Sequence, residues 1–360
     1  MSTYFWNAEN IGLYVSAKEA TFGVPTNTTT NLAAQTFYTM WVKLTRAPVF
    51  FLKKNNVYEQ VSGVGPDPTY AAQHGNQEGK MVLTGELYYL PLYFLCKACT
   101  TTDNVYPATD TEEPPTTVQA GTYVHDYKTT TARAAAPPTF ECFLKMVNDT
   151  SANNKFPLYV GCAITAMSIS GSLNSPITAT IEIIFKNVLA GTALSAYPSF
   201  PSYRAFYIDD AVMVYAKGGS AYTGSLHAFT IEYRDGTYLH KPAGQSTATE
   251  PLNGPRLISI EITWAPKTVA HLNDTIFAQL DPATASDVDI TLKISRNTTN
   301  DWIRFAFEKL WSNDQSDPTY FMNYHLDHRV KFVPKPAAVE TGAVTWIREV
   351  NQVSDAIYEA

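Results

Sequence analysis

Residues 177–185 alternate strictly: Ile177, Ala179, Ile181, Ile183 and Phe185 fall on one side of an extended chain, while Thr178, Thr180 and Glu182 fall on the other. Period two is the signature of a strand with one buried and one wet face. The same pattern predicts strands at Thr36–Leu44, Ala47–Leu52, Lys80–Tyr88, Phe140–Val147, Cys162–Ser170, Ile177–Phe185, Ala205–Val214, Leu226–Tyr233, Leu257–Trp264 and Val288–Ser295. Helix is predicted in fewer places. Leu90–Ala98 has Pro91 near its first turn, and Asn300–Trp311 has Asn300 or Asp301 as its cap, with Ile303, Phe307 and Leu310 at helical spacing. A weaker third helix falls at Thr268–Leu280. Between these elements, Thr100–Pro138, Asp235–Pro255 and Phe22–Leu32 read as irregular loops, the first long enough to suggest an arm that binds something.

Internal similarity divides the chain. "PITATIEIIF" (176–185) aligns with "PRLISIEITW" (255–264), which sets Glu182 on Glu261 and Thr180 on Ser259. "AMSIS" (166–170) aligns with "AFTIE" (228–232), and "PTFECF" (138–143) with "PSYRAF" (201–206). Three blocks in one order suggest a tandem duplication, against the simpler view that any two half-buried strands look alike. The boundary would fall at Ala190–Pro201, a connector of small residues and proline. Two domains, 1–195 with its Thr/Pro-rich loop at 100–138, and 196–360, are also what a length of 360 residues suggests.

Composition narrows the function. Apolar residues make up 45% of the chain, enough for packed cores, but charged residues only 16%, which suits weakly charged surfaces covered by neighbouring subunits. A formal charge of −7 argues against holding nucleic acid through its phosphates, which needs clustered Lys and Arg. The four cysteines, Cys96, Cys99, Cys142 and Cys162, are too few for a disulfide scaffold. Cys96 and Cys99 have C-x-x-C spacing without a second pair, so packing is the simpler reading beside a redox or zinc role. No leader pattern opens the chain, and no apolar run approaches the ~20 residues of a membrane span.

Catalytic signatures are missing. There is no G-x-S-x-G elbow, no phosphate-binding glycine loop and no dinucleotide fingerprint. "HLDH" (325–328) gathers His325, Asp327 and His328, but on a strand the two histidines point to opposite faces. Asp209-Asp210 and Glu112-Glu113 are adjacent pairs that suit turns, not the opposed carboxylates of a glycosidase. Aromatic residues, 13% of the chain, are not interleaved with Arg and Lys as a nucleic-acid stacking platform would be. No enzyme, metal or cofactor is expected.

Four stretches carry a resemblance: "YVSAKEATFGVPTN" (14–27), "GKMVLTGELYYLPLYFLCKAC" (79–99), "GCAITAMSISGSLNSPITATIEIIFK" (161–186) and "LDHRVKFVPKPAAVETGAVTWIREV" (326–350). Together the chain resembles the two-domain major tail tube proteins of long-tailed bacteriophages. That resemblance implies a mainly β protein of two tandem sandwich or barrel domains, each with a short flanking helix and long loops. It also implies a structural virion protein, made in the host cytoplasm, that self-assembles. Trimeric rings of six-fold appearance would stack head to tail into the tail tube and meet the tape measure, terminator and baseplate or tip proteins. DNA would pass during ejection without being bound specifically. On this reading the polar positions Thr178, Thr180, Glu182, Ser259 and Glu261 face the lumen, and their acidic groups repel passing phosphates. The rival readings are a fibre or baseplate β-sandwich that binds host-surface carbohydrate, with Tyr106, Tyr123 and Tyr222 at loop tips, and a β-rich hydrolase built around His325, Asp327 and His328.

Overall fold

The computed structural model describes residues 6–19, 21–25, 37–39, 42–44, 49–59, 71–87, 100–107, 123–129, 137–148, 156–191, 193, 204–217, 220–223, 225–234, 236–242, 248–265, 288–297, 301–315, 319–320, 326–334 and 345–351. Among them the chain is mainly β, antiparallel throughout and sandwich-like, with a single 3-10 turn at Ile208–Asp210. The strands are β1 (Trp6–Lys18), β2 (Phe37–Thr39), β3 (Val42–Leu44), β4 (Val49–Glu59), β5 (Ala71–Leu87), β6 (Thr100–Pro107), β7 (Tyr123–Thr129), β8 (Phe140–Asn148), β9 (Pro157–Ser172), β10 (Thr178–Phe185) and β11 (Asn187–Ala190). They continue as β12 (Ala211–Lys217), β13 (Ser220–Thr223), β14 (Ser225–Arg234), β15 (Tyr238–His240), β16 (Glu250–Leu252), β17 (Leu257–Ala265), β18 (Val288–Asn297), β19 (Asp301–Gln315), β20 (Thr319–Tyr320), β21 (Leu326–Pro334) and β22 (Thr345–Asn351). No helix among the described residues is long and apolar enough to cross a membrane.

A central sheet runs β5–β10–β9–β14–β17–β21. Two long strands leave it. The first half of β9 pairs with β8 and β11, and its second half with β10 and β14. The turn from one sheet to the other is made at Gly161, φ +65°, where a Cβ would lie 2.7 Å from the Lys186 Cβ and 2.8 Å from the Phe22 ring. Only glycine fits that backbone and that space. β19 does the same at the other flank: residues up to Leu310 pair with β18 and β22, and those beyond with β21. Its switch lies at Lys309, φ 53°, whose backbone N–H donates to Asp289 at 2.9 Å.

One continuous core fills the space between the central sheet and the two flanking sheets. Tyr159 meets Phe185 edge-on at 5.0 Å on one side. On the other, Tyr215 of β12 stacks on Trp264 of β17 at 5.4 Å and lies 6.1 Å from Phe332 of β21. Residues 204–206 stitch the sheet: Phe206 N donates to Leu87 O, Ile177 N to Phe206 O and Leu87 N to Ile177 O.

Several sequence expectations change. Residues 301–311 form strand β19, not a helix, because Ile303, Phe305 and Phe307 all point into the core at period two. The expected arm at 100–138 contains the paired strands β6 and β7, whose Thr, Val and Tyr suit a sheet, and β7 pairs onward with β22. The loop at Asp235–Pro255 contains the β15–β16 hairpin. The helices expected at Leu90–Ala98 and Thr268–Leu280 lie outside the described residues, as do Cys96 and Cys99. Cys142 and Cys162 are buried free thiols on β8 and β9, and burial pushes the Cys162 thiol well up.

The repeat maps onto the sheet in part. The alignment of 166–170 with 228–232 matches Ile169 to Ile231, and these two stand directly opposite one another where β9 meets β14. A local two-fold axis through that pair relates β9 to β14 and β10 to β17. The second block slips by two residues, since Ala179 stands opposite Ile169 but Ile260 stands opposite Ile231. Register therefore equates Glu261 with Thr180, not with Glu182. The third block is not equivalent, because Phe140–Phe143 lie in β8 whereas 204–206 are not in a strand.

The opening motif has a structural role. Glu19 is buried, and its carboxylate accepts the N–H of Gly161 at 2.7 Å and of Gly23 at 3.0 Å. It thereby ties the turn after β1 to the bend in β9. Lys186 lies over the Phe22 ring at 4.8 Å and completes the cluster. Burial pushes the Glu19 carboxyl above the ordinary carboxylate range, and these hydrogen bonds offset only part of it. The folded chain therefore holds this proton to higher pH than the unfolded chain, and Glu19 makes stability fall as pH rises from the ordinary carboxylate value through the raised one. Glu19→Gln should remove that slope from the pH profile of urea midpoints. A profile unchanged by the substitution would show that Glu19 is not the group responsible.

A polar face with its charges paired

Each strand of the central sheet turns one set of side chains into the core, and the alternate set forms the opposite face. In β10 the odd residues from Ala179 to Phe185 are at most 1% exposed, which leaves Thr178, Thr180, Glu182 and Ile184 outward. The same alternation presents Lys80, Val82, Thr84 and Glu86 from β5 and Ala166, Ser168, Ser170 and Ser172 from β9. It likewise presents Ala228, Thr230, Glu232 and Arg234 from β14, with Ser259, Glu261 and Thr263 from β17 and Arg329, Lys331 and Val333 from β21. All five positions expected to be lumen-facing, Thr178, Thr180, Glu182, Ser259 and Glu261, thus share one face of one continuous sheet.

Hydroxyl groups on this face bond across strands. Thr84 and Thr180 hydroxyls are 3.2 Å apart and those of Ser170 and Thr178 3.1 Å. Such pairs add about 0.2–1 kcal/mol each to a sheet. Ser259 differs from the expectation for it: it is 2% exposed, and its hydroxyl donates to Glu232 at 3.2 Å. The Glu232 side chain, held in turn by Lys331 at 3.2 Å, keeps Ser259 away from solvent.

The charges are also paired. Lys80 meets Glu182 at 2.7 Å, and Arg329 holds Glu261 through two parallel bonds of 2.7 and 2.8 Å. Burial would raise the Glu232 carboxyl, but its contacts with Lys331 and Ser259 and the nearby Arg234 hold it below the ordinary range. The described side chains of the face carry Lys80, Arg234, Arg329 and Lys331 against Glu86, Glu182, Glu232 and Glu261. The face is therefore formally neutral, which corrects the expectation of an acidic, phosphate-repelling surface. Sequence reasoning found both glutamates but missed their partners, which lie on other strands 102 and 68 residues away in the chain. Those lysines and arginines sit on alternating strands, the one signal that could have placed them.

The rival sites do not come together. Tyr106, Tyr123 and Tyr222 lie in β6, β7 and β13, not at loop tips. His325 lies outside the described residues. Asp327 and His328 are neighbours in β21, so they alternate across its two faces. Among the described residues no three His, Cys, Asp or Glu residues are grouped so as to hold a metal ion. Asp210 accepts a bidentate pair from Arg204 at 2.8 and 2.9 Å at the 3-10 turn, a structural use for the Asp209-Asp210 pair. The chain matches no protein-family model and no curated protein.

Proposed function

We propose that this chain is a structural virion protein, the major subunit of a phage tail tube, with no enzymatic role. Two tandem tube domains, meeting at the β9–β14 junction, would make three chains a ring of six-fold appearance. Stacked rings would enclose the channel through which DNA leaves the virion, with the other tail proteins at the tube's ends. The observation that carries the reading is the polar face of the central sheet: small hydroxyl side chains and paired charges spread over six strands, backed by a continuous core.

Such a face suits transit. DNA carries one negative charge per ~1.7 Å of axis, so a wall of free cations would hold it by counterion release and a wall of free anions would oppose its entry. Charges that are already paired do neither, and short hydroxyl groups keep the surface even. The carbohydrate-binding reading is less favoured, since its three tyrosines sit within strands. Negative-stain electron microscopy of the purified protein should show rings or hollow filaments. A species that stays monomeric at every concentration and in every salt condition would count against the tube.

A further inference from the structure

A second feature lies on the sheet β12–β18–β19–β22, away from the polar face. Lys293 of β18 stands directly opposite Arg304 of β19, and Arg304 directly opposite Arg348 of β22. Three cationic residues therefore occupy one line across three adjacent strands, a span of about 10 Å at ordinary strand spacing. Like charges directly opposed destabilise a sheet. Inward neighbours Leu292, Ile294, Ile303 and Phe305 fix Lys293 and Arg304 on the outer side.

Two further observations point to a missing anionic partner. Lys293 lies 4.2 Å from the ring centre of Trp302, and its only charged neighbour of consequence is Arg304, which together with burial pushes its ammonium below the ordinary lysine range. Trp302 itself is 2% exposed, and its indole N–H is buried with no acceptor among the described residues. Beside Lys293, Val212 of β12 is 60% exposed and gives the row an apolar margin.

We infer that this row is a docking site for an extended, acidic segment of a protein partner, with carboxylates at alternate positions and apolar residues between them. Alternate residues of an extended chain share a side, which would bring successive carboxylates to the cations. The intervening apolar residues would meet Val212, and the indole N–H would gain an acceptor. Nucleic acid is the poorer fit, because three cations on a chain of net charge −7 offer little counterion release against the repulsion of the remainder. This inference stands independently of the tube reading.

Fluorescence anisotropy of dye-labelled peptides with the full-length protein tests it. A Glu-Val repeat of eight residues should bind at least tenfold more tightly than the matching Gln-Val repeat. Lys293→Met and Arg304→Gln, each checked for native circular dichroism, should each weaken that binding about tenfold. Equal binding of the two peptides, or Glu-Val binding indifferent to both substitutions, would overturn the site. A labelled single-stranded oligonucleotide that binds more tightly than the Glu-Val peptide would overturn the choice of partner.

Discussion

Reversing both glutamates of the polar face, Glu182→Lys together with Glu261→Lys, is expected to slow DNA ejection from assembled tails at least tenfold while tubes still form. Each new lysine would stand beside a cation that the glutamate now neutralises, Lys80 in one case and Arg329 in the other. The described face would move from neutral to a charge of plus four on every chain. Repeated around rings and along the tube, that charge would bind phosphates by counterion release and retard the duplex. Assembly should survive, because both glutamates lie on the outer face and none of the core side chains changes. The exposed ion pairs themselves contribute little to folding. A charge swap, Lys80→Glu with Glu182→Lys, keeps the face neutral and should eject at the wild-type rate. Wild-type ejection from the double-lysine tails would remove the electrostatic basis of the reading.

The largest loss of stability is expected from Trp264→Ala, at about 3–5 kcal/mol. Trp264 is fully buried in β17, and its stacking on Tyr215 joins the central sheet to the β12–β18–β19 flank across the core. Removing it leaves a cavity where two sheets meet and strips Tyr215 of its partner. Thr263→Ala, one residue earlier on the opposite face, should change stability by less than about 0.5 kcal/mol. Urea unfolding measures both. A Trp264→Ala cost below about 1 kcal/mol would mean that the two sheets do not share this core.

What could be read from the sequence followed from burial. Where one face is core and the other wet, alternation is strong, and β10, β14, β17 and β18 fall within a few residues of expectation. β19 was misread because Ile303, Phe307 and Leu310 fit a helical spacing, yet Phe305 fits only a strand. The three-residue step from Phe307 to Leu310 comes from the left-handed backbone at Lys309. β6 and β7 were hidden by a Thr/Pro-rich composition, since their stabilising neighbour, β22, is more than two hundred residues downstream. The two-residue slip between the repeated strands was equally invisible, because an even shift leaves every side chain on its own face. Both glutamates could be placed on a polar face from their alternation alone, but the neutrality of that face depends on Lys80 and Arg329, whose proximity only the sheet order provides.

Placing the polar face within an assembly is the most direct test. A cryo-electron-microscopy reconstruction of filaments formed by the purified chain should show Thr180, Glu182 and Glu261 lining a continuous central channel, with the Lys80–Glu182 and Arg329–Glu261 pairs intact. A hollow filament with that face turned outward, or packed between subunits with no channel beside it, would contradict the proposed role.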